Sequence, residues 1–125
     1  MNSITLNLDV NELYKLNDFI HEIILKEDFH VDLILEEVFV NIVNYSDSDF
    51  INVNAEYENQ TLTIEFIDNG IEFNPLLEED PETPSNADDA VIGGLGIFLT
   101  KQVVDDIFYE YLNDENHLKL IKKVV

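Results

Sequence analysis

A chain of 125 residues, 46% of them hydrophobic, can bury one packed core and is too short for two domains. It has no cysteine, which excludes disulfides and thiolate metal sites, and no run approaches the ~20 apolar residues of a membrane span. Its 27 acidic residues face only 6 basic ones, a formal charge of −21 that disfavours nucleic acid and anionic membranes as partners. Such acidity serves either solubility or a basic protein partner, and composition does not choose between them. The start, Met1 to Val10, has neither a basic leader nor an apolar signal core, so a cytoplasmic location is expected.

From Ser3 to Val10 the apolar residues Ile4, Leu6, Leu8 and Val10 alternate with polar ones, the period of a strand with one buried face. Asn11 stands where a helix N-cap would be. Leu13, Leu16, Ile20, Ile23 and Ile24 then predict a helix to about Glu27. A second helix is predicted over Val31 to Tyr45 from Leu35, Val38, Phe39, Ile42 and Val43. Two alternating runs between Phe50 and Asp68, parted by Glu58, Asn59 and Gln60, predict a hairpin. Periodicity vanishes from Asn74 to Ile92, where Pro75, Pro81 and Pro84 stand among acidic and small residues, as in a surface loop. A third helix is expected from Leu95 to about Asp106. A second hairpin, Ile107 to Leu112 and His117 to Val124, is expected around a turn at Asn113 to Asn116. This order predicts an α/β (α+β) two-layer sandwich in one domain, 1–125. Its mixed sheet would have about five strands, with three helices on one face.

Three constellations could carry chemistry. Glu37 and Asn41, four residues apart, share a helix face next to Asn44 and Tyr45. Such a pair of oxygen donors suits Mg²⁺ and proton abstraction from a hydroxyl, or simply forms a solvated face. Asp68-Asn69-Gly70-Ile71-Glu72-Phe73-Asn74-Pro75 closes the apolar run Leu62 to Ile67. A carboxylate there can accept the exocyclic amine of adenine, with Gly70 letting the backbone pass close to the ring; a plain turn is the alternative. Gly93-Gly94-Leu95-Gly96 precedes a helix, where bare amides can hold phosphate or serve as a hinge. His21, His30 and His117 show no metal-ligand spacing and read as surface residues.

In this order, Glu37-x-x-x-Asn41, Asp68-x-Gly70-x-x-Phe73-Asn74-Pro75 and Gly93-Gly94-Leu95-Gly96-Ile97 resemble the N box and two G boxes of the GHKL ATPase superfamily. The stretch Glu36 to Ile42 is similar to its anti-sigma-factor serine kinase branch. The resemblance runs over nearly the whole chain and implies a Bergerat sandwich that binds ATP and Mg²⁺. It implies Glu37 as general base, Asn41 as Mg²⁺ ligand and Asp68 as adenine reader supported by Gly70. Asn44, Phe73 and Lys101 would complete the nucleotide site. Gly93, Gly94, Leu95, Gly96 and Ile97 would hold phosphates under a lid spanning Asn74 to Ile92. The implied reaction is phosphorylation of a serine on a STAS-domain anti-anti-sigma partner. A sigma factor is a further implied partner; separately, the exposed part of the first helix offers a surface for a second copy of the chain. The sequence departs from the family pattern in having no arginine in the lid, and in having Tyr45 where histidine is common and Lys119 where a hydroxyl is common. The alternatives are a non-catalytic, nucleotide-gated binding module, a detached sensor-kinase domain and an α/β domain unrelated to nucleotides.

Overall fold

Each alternating segment becomes a strand of one sheet. The computed structural model describes residues 1–77 and 99–125. Here β1 (Asn2–Leu6), β2 (Ile51–Glu58), β3 (Thr61–Asp68), β4 (Asp106–Leu112) and β5 (Glu115–Lys123) form a sheet of order β1-β2-β3-β5-β4. The helices α1 (Leu13–Ile24) and α2 (Phe29–Tyr45) join β1 to β2, and residues 99–103 are helical before β4. The architecture is an α+β two-layer sandwich, as expected.

The expectation of a mixed sheet is corrected: every pairing among the described residues is antiparallel. The reason is topological. Two consecutive helices return the chain to the end it left, so β2 runs opposite to β1, whereas a single crossover helix would have made the pair parallel. The other direct connections, β2–β3 and β4–β5, are hairpins. Each has two turn residues in the left-handed region, Asn59 and Gln60 (φ 53° and 60°) and Asn113 and Asp114 (φ 55° and 62°), the geometry that matches strand twist. The second turn is therefore shorter than expected, and Asn116 lies within β5.

Other boundaries shift for local reasons. The first strand stops at Leu6, because the Asp9 carboxylate accepts from the Asn11 amide (2.9 Å) and starts a 3-10 turn over Val10–Glu12. α1 stops at Ile24 with Leu25 in the left-handed region, and the Asp28 carboxylate caps α2 through the Val31 amide (3.0 Å). His21, on α1, is half-buried and pairs with Asp32 of α2 (2.6 Å), tying the two helices together.

The core lies between the helices and one sheet face. α1 contributes Leu16, Ile20 and Ile24, and α2 contributes Val31, Ile34, Leu35, Val38, Phe39 and Ile42. Opposite them lie Ile51, Val53 and Ala55 of β2, Leu62, Ile64 and Phe66 of β3, and Leu118 and Leu120 of β5. Val103, in the third helical segment, packs on the same cluster. On the other, solvent-facing side of β1 and β2 the residues are polar: Ser3 hydroxyl donates to Asn54 and Thr5 hydroxyl to Asn52. One dry face and one wet one account for the strict alternation of the sequence.

Candidate functional site

The C-terminal half of α2 supplies one wall. Val38 and Ile42 are buried against the sheet and fix the helix's rotation, which sets Glu37, Asn41 and Tyr45, at four-residue steps, along one ridge. The helix ends where the Ser46 amide donates to the Ile42 carbonyl (3.0 Å), and Asp47 turns the chain with φ 53°. Ser46 is buried, and its carbonyl accepts from the Ile71 amide (2.8 Å). A Cβ on Gly70 would stand 2.1 Å from that same carbonyl oxygen. No side chain fits there, so Gly70 is needed for the approach of its loop to the end of α2. A second stitch joins the same loops: the Asp49 amide donates to Asn69 Oδ1 (2.9 Å) and Asn69 Nδ2 donates to Asp49 Oδ2 (3.0 Å).

The end of β3 supplies the site's buried charge. Asp68 is only 4% exposed, and its Oδ1 accepts from the Gly70 amide (2.9 Å) and from Asn116 Nδ2 (3.0 Å). No hydrogen bond among the described residues engages its Oδ2. Burial raises the proton affinity of this carboxyl above the ordinary carboxylate value, and the two hydrogen bonds oppose that shift without cancelling it. Asn116 is equally buried. Its Nδ2 also donates to the Ile71 carbonyl (2.9 Å), while its Oδ1 accepts from the Phe73 amide (3.1 Å) and the Tyr109 hydroxyl (2.5 Å). Burial holds the Tyr109 phenol above its usual value, so it stays a donor at neutral pH.

Between these walls is an open cleft with a cavity volume of about 40 Å³. Val38, Ile42 and Leu118 give it an apolar interior, and Asn41, Asp68 and Asn116 supply its polar groups. At its mouth Tyr45, Ile71 and Phe73 are 46%, 63% and 38% exposed. Exposed apolar side chains gathered around a mostly apolar cleft with one buried acceptor suit a flat, partly apolar ligand carrying a hydrogen-bond donor.

Of the residues singled out in the sequence, Asn41, Asp68 and Phe73 line this one cleft. Gly70 sits behind it against Ser46. Glu37 is one helical turn from Asn41, outside the cleft lining and partly exposed. Burial and, after it, repulsion from Glu36 raise its proton affinity above the usual glutamate value. Asn44 is exposed and does not line the cleft, and Lys101 lies in the helical residues 99–103, also away from the lining. Gly93, Gly94, Leu95, Gly96 and Ile97, and the expected lid from residue 78 onward, fall outside the described residues.

Three polar lining residues, Ser46, Tyr109 and Asn116, are not among the site residues expected from the sequence. Asn116 had a signal, since it is in phase with Leu118 and Leu120, the buried positions of β5. Lys119 is exposed on the opposite face, so the β5 residues facing the cleft are Asn116 and Leu118.

The family model for the histidine kinase-like ATPase domain matches residues 13–122. No curated protein matches the chain. Among the described residues, no helix is long and apolar enough to cross a membrane. The matched span runs from the start of α1 almost to the end of β5 and so takes in every wall of the cleft. The chain belongs to the histidine kinase-like ATPase domain family, the GHKL superfamily whose domains bind ATP, usually with Mg²⁺.

Proposed function

We propose that this chain binds Mg-ATP in the cleft between α2 and the end of β3 and acts as an anti-sigma-factor-type serine kinase on a STAS-domain partner. The observation that carries the nucleotide reading is Asp68, a buried acceptor with one oxygen tied down and the other without a partner among the described residues. The exocyclic amine of adenine is the donor it suits, with the ring between the apolar walls. Among the described residues no group of three or more His, Asp or Glu could hold a cation alone. Asn41, which lines the cleft, would supply a hard oxygen ligand to Mg²⁺. When bound, Mg²⁺ neutralises charge on the phosphates.

Glu37 carries the catalytic half of the proposal. Its raised proton affinity makes it a better proton acceptor than an ordinary surface glutamate. The serine Oγ attacks the γ-phosphorus, its proton passes to Glu37, and the bond to the β-phosphate oxygen breaks to release ADP. Incubation with Mg-ATP and a cognate STAS protein should give phosphoserine. Glu37→Gln should lower the transfer rate by about a hundredfold or more and leave ATP affinity unchanged. Because the base must be ionised, transfer should fall as pH drops through the raised Glu37 pKa. Equal rates in wild type and variant would sink the mechanism.

A second reading, a nucleotide-gated module that sequesters its partner without phosphorylating it, is favoured by the absence of arginine from the chain. It predicts ATP-dependent partner binding with no phosphoserine. A sigma factor is a candidate for capture under either reading, the charge of −21 favouring a partner with a basic surface. A second copy of the chain is a further candidate, read by sedimentation equilibrium, and a cytoplasmic location suits these partners.

A further inference from the structure

We infer that Asn116 is the positioning residue of the base pocket: it presents Asp68 to the ligand through one oxygen only and so makes the site selective for adenine over guanine. This rests on the reading of the cleft as an adenine-nucleotide site. An amide side chain has two N–H donors and an oxygen with two lone pairs. Asn116 uses all four, giving its donors to Asp68 Oδ1 and the Ile71 carbonyl and accepting from the Phe73 amide and the Tyr109 hydroxyl. The network also fixes which way the amide points. Its nitrogen faces two acceptors and its oxygen faces a backbone N–H, so the reverse orientation would break three of the four contacts and keep only that to the Tyr109 hydroxyl.

A saturated group has nothing left to offer a base, so Asn116 acts through what it holds. With Asp68 Oδ1 occupied twice, the carboxylate cannot swing, and Oδ2 is its remaining acceptor. An ionised carboxylate oxygen accepts and never donates. It pairs with the amine at position 6 of adenine and meets repulsion from the carbonyl at the same position of guanine. Asn116 also clamps the Ile71 carbonyl and the Phe73 amide, and so fixes the height of the apolar wall beside the ring.

The test is isothermal titration with Mg-ATP and Mg-GTP across pH, on wild type, Asn116→Leu and Tyr109→Phe. The groups whose charges act on Asp68 are Glu115 and His117 on β5, with Tyr109 on β4 nearby; all but Tyr109 in its own variant stay in place. Wild type should prefer ATP by about tenfold or more, the scale of one charge-assisted hydrogen bond. Its affinity should fall on the acid side as Asp68 takes up a proton. In Asn116→Leu the preference should collapse towards unity, and the acid limb should move to higher pH, because the carboxylate loses a stabilising donor. Tyr109→Phe, which removes one anchor of the amide, should move both readouts the same way by less, and it carries the test if Asn116→Leu does not fold. If the folded variants lose affinity for both nucleotides by one common factor with the acid limb unmoved, Asn116 is merely structural and the inference is overturned. If wild type binds neither nucleotide, the reading of the cleft itself fails.

Discussion

Replacing Asp68 by asparagine separates what this residue does for the fold from what it does for the ligand. Oδ1 faces two donors, the Gly70 amide and Asn116 Nδ2, so the asparagine must keep its oxygen there and place its new amino group where Oδ2 was. Both internal hydrogen bonds survive. The ligand-facing acceptor becomes a donor, and the exocyclic amine of adenine loses a hydrogen bond to a charged group. Such a bond contributes about 1.5–3 kcal/mol, so Mg-ATP affinity should drop by about 10- to 150-fold, at ~1.4 kcal/mol per factor of ten.

The effect on the empty protein has the opposite sign. Burial raises the folded-state pKa of Asp68 above its reference of 3.8, so the folded state holds the proton more tightly than the unfolded one. The stability this contributes is fully present below the unfolded pKa and is lost as pH rises through the folded pKa. At neutral pH the buried carboxylate is a standing cost that asparagine removes. Urea unfolding of the ligand-free proteins should therefore show Asp68→Asn more stable than wild type at pH 7, with the gap closing as pH falls towards ~4. Taking the difference cancels the many other carboxylates. A variant that binds ATP as wild type does, or that is no more stable at pH 7, would refute the reasoning.

Two further predictions test the framework around the cleft. Gly70→Ala puts a methyl group 2.1 Å from the Ser46 carbonyl oxygen, which must break the Ile71–Ser46 contact. The expected loss is about 1–3 kcal/mol, read as a lower urea midpoint at unchanged slope, and an unchanged midpoint would show that the two loops are not held together. Phe39→Ala empties a fully buried position of α2 and should cost about 3–5 kcal/mol, with near-complete loss of cooperative unfolding if the domain is marginal. A loss below about 1 kcal/mol would mean that α2 does not form the core as described.

The strands were legible because one sheet face is dry and the other wet, which forces a period of two on residues such as Ile51, Val53 and Ala55. Sheet direction was not, since it depends on how two helices return the chain. At the site, Asn41 and Asp68 could be found because each belongs to a short local pattern. Asn116 could not be found that way. Asparagine is a common turn former, and it stands near Asn113 and Asp114, so composition places it in the turn although its phase with Leu118 places it in the cleft. The reason for Gly70 was also hidden, because the Ser46 carbonyl that excludes a side chain comes from a distant part of the chain.

The central claim is that an adenine nucleotide lies between α2 and the end of β3. An amide NMR titration of the wild-type protein with Mg-ADP tests it most directly. Shifts should concentrate on Asn41 to Ser46, Asp68 to Phe73 and Asn116 and should be absent with Mg-GDP. No shifts with Mg-ADP, or shifts gathered at the opposite end of the sheet around Leu25 and Tyr57, would contradict it.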